Sequence, residues 1–235
     1  MIKNKKYLNS QVSTYKNDVK IRHHQFKTIK LIEKKINNFS GNFLDIGCAN
    51  GILTNYLSKK YQKIDFLGVD IAGDLIKIAK SNVKNNNSTF VTKDIDKTRF
   101  QKKFDLVNAS GMLSNYEEFE KPLMNWVKLL KPKGILVIFG VFNSSNIDVQ
   151  VKIRNNFIGT SWQNGLTTYS IETVSKFLVS KKIKFKFHKF DLPVDIKKHK
   201  DPIRTYTVTT KEGKRIILTG ANIVNEFYHL IIFND

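Results

Sequence analysis

The segment Phe43-Leu44-Asp45-Ile46-Gly47-Cys48-Ala49-Asn50-Gly51 constrains this chain more than any other. An apolar run that stops in small residues and restarts as helix-forming sequence is how a buried parallel strand feeds a loop and a helix. Glycines at 47 and 51 remove the side chains that would hold a ligand off the backbone, and the next helix offers unpaired amide groups. A nucleotide-like ligand fits this description. The Gly-x-Gly-x-x-Gly that seats a pyrophosphate and the Gly-Lys-Ser/Thr of a P-loop are both missing. Asp45, two residues before the first glycine, would repel phosphate and attract an ammonium group directly or through water.

The flanking sequence predicts the rest of the fold. Apolar residues at helical spacing from Asn17 to Asn37 predict a leading amphipathic helix. Strands are predicted at 42–46, 65–70, 89–92, 104–109 and 135–140, with helices at 51–60, 72–83 and 119–130 between them. Ser170 should cap a helix carrying Ile171, Val174, Phe177 and Leu178. Further strands are expected at 183–190 and 227–233, and Tyr206–Thr210 with Arg215–Thr219 reads as a β-hairpin turning through Glu212-Gly213. Such alternation predicts a Rossmann-like, doubly wound α/β fold: a mostly parallel seven-stranded sheet with an antiparallel last strand and a β-hairpin insertion. A single domain over 1–235 is expected, with an N-terminal helical segment at 1–41 and substrate-cap insertions at 141–169 and 191–226.

The loop resembles motif I of class I S-adenosylmethionine-dependent methyltransferases, Asp/Glu-x-Gly-x-Gly-x-Gly, and the resemblance extends from Asn42 to Gly140. Ala49 stands where the motif has its middle glycine, which requires ordinary backbone dihedrals there. The resemblance implies S-adenosyl-L-methionine as cofactor, with Asp45, Gly47, Cys48, Ala49 and Gly51 around the methionine moiety. Asp70, ending the second strand, would accept from the ribose hydroxyls, as the analogous acid does in dinucleotide folds. Asp94 would accept from the adenine amino group, with Ile71 and Ile95 against the ring. Asn108 and Ser110 would lie beside the sulfonium and the acceptor. Plainer roles stand next to these: Asp70 as a helix N-cap, Asp94 as a turn residue, Cys48 as a loop filler.

Methyl transfer to a hydroxyl benefits from a general base, so the histidines matter. Where many small-molecule relatives carry a Glu-His pair, this chain reads Leu113-Ser114-Asn115-Tyr116, and the Asn-Pro-Pro-Tyr of nucleobase amino methylation is replaced by Asn108-Ala109-Ser110-Gly111. The remaining base candidates are His199, beside Lys197, Lys198, Lys200 and Arg204, and His23 and His24 in the leading helix; His188 and His229 complete the set. A basic cap with Trp162, Tyr169 and Tyr206 would suit an anionic or sugar-linked small molecule through stacking and charge pairing. The segment Asp201-Pro202-Ile203-Arg204-Thr205-Tyr206 and the hairpin are loosely similar to methyltransferases of surface-polysaccharide pathways. O-methylation of a sugar or glycan intermediate is therefore the expected reaction.

A formal charge of +20 points toward a polyanion such as RNA, but the cations are mostly lysines spread along the chain and arginine is scarce. No concentrated basic-aromatic motif accompanies them. An RNA methyltransferase, or a silent S-adenosylmethionine-binding module, are the rival readings, and no metal is expected. The single cysteine excludes an internal disulfide and fits a reducing compartment, the apolar runs are too short to span a bilayer, and a cytoplasmic monomer or homodimer is expected.

Overall fold

The computed structural model describes residues 20–36, 40–154, 161–198, 205–218 and 226–234, with isolated positions at 12, 15, 16, 156 and 159. Helix α1 (His23–Ile36) leads into strand β1 (Gly41–Ile46), helix α2 (Ile52–Lys60), strand β2 (Ile64–Asp70), helix α3 (Gly73–Asn82) and strand β3 (Ser88–Thr92). Strand β4 (Phe104–Asn108), a 3₁₀ turn (Leu113–Asn115), helix α4 (Glu120–Val127) and strand β5 (Leu130–Asn143) follow. Short strands β6 (Lys152–Ile153), β7 (Gln163–Asn164) and β8 (Tyr169–Ser170) precede helix α5 (Ile171–Ser180) and strand β9 (Lys184–Phe190). The chain ends with β10 (Tyr206–Thr209), β11 (Arg215–Leu218) and β12 (Glu226–Phe233).

The main sheet has the order β3-β2-β1-β4-β5-β12-β9, with β8 attached to the end of β5. Strands β1 to β5 pair in parallel, whereas β12 runs antiparallel to both β5 and β9. This is the expected seven-stranded arrangement with a reversed last strand, and β10 and β11 form the expected separate hairpin. The order reverses beside β1, where a doubly wound sheet opens its crevice at the carboxyl ends of the strands.

Each face of the sheet buries its own cluster, as a sheet covered on both sides requires. Ile29, Ile32, Leu53 and Leu57 of α1 and α2 pack with Phe43, Phe66, Ile135 and Val137 on one face. On the other face Leu123, Trp126 and Val127 of α4 and Val174 and Leu178 of α5 pack with Leu44, Ile46, Leu136 and Ile138. The Ser170 cap is as the sequence predicts: its Oγ accepts from Thr173 N at 3.0 Å.

The largest differences lie at the two ends of β5. Lys131-Pro132-Lys133-Gly134, which reads as a helix stop, already belongs to β5, because Lys133 N donates to Asn234 O and Asn234 N donates to Gly134 O. At its other end β5 runs on to Asn143, and the insertion expected at 141–169 contains the small β6–β7 pair and the start of β8. Within the hairpin insertion, residues 199–204 and 219–225 lie outside the described residues.

Candidate functional site

The loop after β1 turns on left-handed backbone at Gly47 (φ 70°), Ala49 (φ 49°) and Gly51 (φ 78°). The ordinary dihedrals expected at Ala49 are therefore not what the structure shows. Ala49 N donates to Asp70 Oδ2 at 2.9 Å, and this bond from the neighbouring strand end holds an alanine in a region that costs an L-residue roughly 1–2 kcal/mol. At Gly47 a Cβ would run into the Met112 side chain, which would have to move, and the left-handed backbone there adds its own strain.

Asp70 braces both neighbouring turns. Its second oxygen, Oδ1, accepts from Ala72 N at 2.8 Å, while its own carbonyl accepts from Lys93 N at 2.9 Å. The N-cap of α3 is Ala72, so the capping role open to Asp70 in the sequence is not the one it takes. Ile71, next in the chain, is exposed.

Asp45 sits beneath the loop, 2% exposed. Thr54 Oγ1 donates to its Oδ2 at 2.9 Å and Asn108 Nδ2 donates to its Oδ1 at 2.7 Å. Burial pushes its carboxyl up to about 6 despite both bonds, with the nearby Asp70 charge adding to the shift. Ser110 Oγ in turn donates to Asn108 Oδ1 at 3.2 Å, so the network Thr54–Asp45–Asn108–Ser110 leads from α2 under the loop to the end of β4. Asp45 thus reaches the crevice through Asn108 and Ser110, where the sequence allowed direct contact.

Cys48 points away, into an apolar cluster with Ile76, Ala79, Val83 and Phe90, and its burial raises the thiol well above the ordinary range. Only its backbone belongs to the loop. Asp94 follows β3 and forms a turn, accepting at Oδ1 from Asp96 N at 3.0 Å, with Lys97 Nζ 4.0 Å from Oδ2. Ile95 packs on the core beside it.

Among the base candidates, His23 is exposed, His199 lies outside the described residues, and His24 stacks on Phe139 with ring centroids 4.3 Å apart and planes 8° from parallel. Burial is the main cause that lowers the His24 imidazole to about 3. In the cap, Trp162 is 64% exposed beneath Arg154 and Tyr206 lies beneath Lys198, but Tyr169 is buried and its hydroxyl donates to Tyr116 O at 2.8 Å. Tyr169 therefore packs in the core, where it also borders a cavity lined by Glu117, Glu118, Asp148 and Thr173.

Three contributors escaped the sequence reading. Met112 covers Gly47, Thr54 holds Asp45, and Tyr116 donates to Asp96 Oδ1 at 2.8 Å, tying the segment after β4 to the Asp94 turn. Only Thr54 left a trace: it is a polar residue on the buried stripe of α2, next to Leu53 and one turn before Leu57. From the other side, Asn50 Nδ2 donates to Tyr15 O at 2.6 Å, so the segment ahead of α1 meets the loop.

Comparison with known proteins matches residues 44–138 to the methyltransferase domain family. A malonyl-[acyl-carrier protein] O-methyltransferase of Priestia megaterium is 25% identical over 170 residues, 67% of this chain and 61% of that protein. A ubiquinone biosynthesis O-methyltransferase of Coxiella burnetii is 29% identical over 111 residues, 46% of this chain and 47% of that protein. The chain thus spans less than two thirds of the length of either relative. Among solved structures, a complex titled DhpI-SAM-HEP superposes with a TM-score of 0.64 at 14% identity, covering 96% of this chain and 94% of that one. YcgJ of Bacillus superposes at 0.62 and 12% identity, covering 91% and 99%. The fold is that of the class I methyltransferases, and residues 44–138, which match the methyltransferase domain, build the crevice.

Proposed function

We propose that this protein transfers a methyl group from S-adenosylmethionine to an oxygen of a small-molecule acceptor. The observation that carries the reading is the Asp70 carboxylate, set at the end of β2 and bonded to Ala49 N of the left-handed loop and to Ala72 N. It puts an anion and a glycine-lined backbone at the mouth of one crevice. That combination fits a ligand with ribose hydroxyls and a cationic end, and fits a pyrophosphate poorly.

When bound, S-adenosylmethionine supplies an electrophilic methyl group. Asp70 accepts from the ribose hydroxyls, Asp94 from the adenine amino group, and Ile71 and Ile95 cover the ring. The backbone of Gly47, Cys48, Ala49 and Gly51 lies along the methionine moiety, and the buried Asp45 supports it through Asn108 and Ser110. The protein's work is then orientation, which can supply roughly 7–11 kcal/mol of the barrier once acceptor and methyl are held in line.

Oxygen as the accepting atom is supported by the names of the relatives, malonyl-[acyl-carrier protein] O-methyltransferase and ubiquinone biosynthesis O-methyltransferase. A sugar or glycan acceptor draws support from the Arg154–Trp162 and Lys198–Tyr206 pairs alone, since Tyr169 is in the core. An RNA acceptor has only the net charge of +20 in its favour; salt-dependent RNA retention would be its mark.

Calorimetric titration with S-adenosylmethionine and S-adenosylhomocysteine, with NAD and ATP as controls, tests the cofactor. The expected result is selective binding that Asp70→Ala weakens at least about tenfold, since a hydrogen bond to a charged group contributes roughly 1.5–3 kcal/mol. Equal affinity for NAD, or no effect of the substitution, would overturn the assignment.

A further inference from the structure

The turn after β3 that carries Asp94 is closed by bonds among its own residues. Asp94 Oδ1 accepts from Asp96 N at 3.0 Å, Thr98 Oγ1 donates to Asp94 O at 2.6 Å, and Lys97 N donates to the same oxygen at 3.2 Å. Local bonds of this kind shape a turn without fixing where it points. Ile95 fastens it to the core, and a second hold comes from the segment after β4: the Tyr116 hydroxyl donates to Asp96 Oδ1 at 2.8 Å.

Tyr116 is itself firmly placed. It is buried, its ring meets Trp126 edge to face with centroids 5.8 Å apart, and its carbonyl accepts from the Tyr169 hydroxyl at 2.8 Å. Tyr116 N donates to Leu113 O at 3.1 Å and Thr167 N donates to Ser114 O at 2.8 Å, so its backbone is pinned locally and by the residues just before β8. Burial, the Asp96 hydrogen bond and the charges of Asp96 and Asp94 push the hydroxyl well above the usual tyrosine range, and it stays a donor. A phenylalanine would fill the same space and meet Trp126 equally well. What the hydroxyl adds is one bond, and that bond ends on the exposed acid two residues from Asp94.

We propose that Tyr116 is a positioning residue for base recognition: through Asp96 it fixes the direction of the Asp94 carboxylate, and so sets the preference of the site for adenine over hypoxanthine. The proposal rests on the methyl-transfer reading and deepens it. A carboxylate accepts from the adenine amino group and is repelled by the carbonyl oxygen that replaces it in hypoxanthine. Hypoxanthine also carries a ring N–H next to that oxygen. A carboxylate free to swing could shift to accept from this N–H, or let water bridge, and either would erase the discrimination. Selectivity therefore needs the acid held as well as present. Without the hydroxyl, Asp96 would turn to water and the Asp94 turn would lose its tie to the segment after β4.

The test is calorimetric titration of the full chain with S-adenosylhomocysteine and with S-inosylhomocysteine, its hypoxanthine counterpart. Wild type should prefer the adenine compound at least about tenfold, and Asp94→Ala should lose that preference. Tyr116→Phe, which keeps the Trp126 contact, should cut the preference to about threefold or less, chiefly by weakening S-adenosylhomocysteine. A merely structural loss would weaken both compounds alike and leave their ratio unchanged. Asp96→Ala should match Tyr116→Phe, and the double variant should be no worse than either single change. Asp96→Asn, which still offers an oxygen to the hydroxyl, should keep most of the wild-type preference. Because the Asp96 side chain is exposed, its two variants carry the test should Tyr116→Phe fail to fold. A preference retained in full by folded Tyr116→Phe or by Asp96→Ala would overturn the proposal. No preference in wild type would overturn it together with the Asp94 assignment, and failure of wild type to bind S-adenosylhomocysteine would defeat the methyl-transfer reading beneath both.

Discussion

Asp70 and Ala49, on neighbouring strand ends, are joined by a hydrogen bond of 2.9 Å from the Ala49 amide to the Asp70 carboxylate, and Ala49 is in left-handed backbone at φ 49°. The loop is thus held by the same acid that the proposed reading assigns to the ribose hydroxyls. Replacing the alanine should relieve its dihedral without touching the bond. Ala49→Gly is predicted to stabilise the free protein by up to about 1 kcal/mol, the steric gain being partly offset by glycine's entropy. Urea denaturation checks it; a loss of stability would contradict the strained geometry.

Gly47 makes the opposite case. A Cβ there would overlap Met112 Sδ on a backbone of φ +70°. Gly47→Ala should cost on the order of 2 kcal/mol and weaken cofactor binding. Adding Met112→Ala should recover the clash but not the dihedral cost, so a double-mutant cycle in thermal unfolding should show partial rescue. Full additivity of the two changes would mean that Met112 does not cover the loop.

Asp45 gives a pH signature. Burial raises its carboxyl to about 6, above its unfolded value, so the native state favours the protonated form. The stabilisation from that proton is fully present below pH 4 and is lost as pH rises through 6, on the order of 3 kcal/mol in total. Asp45→Asn removes the charge, and Thr54 can rotate to accept from the new amide. The variant should therefore be more stable than wild type at pH 8, with the advantage shrinking toward pH 4, as read by melting temperature across that range. A variant less stable at pH 8 would contradict the burial argument.

Tyr169 separates core from cap. Its hydroxyl donates to Tyr116 O and its ring lies 4.7 Å from Phe119. Tyr169→Phe should cost about 1 kcal/mol of stability and leave the KM for any acceptor unchanged. A raised KM with unchanged stability would return Tyr169 to the substrate wall.

The strands and helices of the first half were legible because each buries a face with its own period: Ile46 and Val69 close apolar runs, and Leu75, Ile76 and Ala79 form one helical stripe. The loop was legible because Gly47 and Gly51 and the acids Asp45 and Asp70 recur at strand ends. Contacts made across the fold were not. Pro132 and Gly134 signal a stop locally, yet pairing with Asn234, about a hundred residues away, makes them strand. Tyr169 and Trp162 look alike as cap aromatics, and only packing separates a core ring from an exposed one. Thr28 and His229 lie 201 residues apart, and nothing in either neighbourhood announces their contact.

The most direct test of the central claim is a calorimetric titration of wild type and Asp70→Ala with S-adenosylhomocysteine. Binding by wild type that is selective over NAD and weakened at least about tenfold in the variant is the predicted result. Binding unchanged by the substitution, or none by wild type, would contradict it.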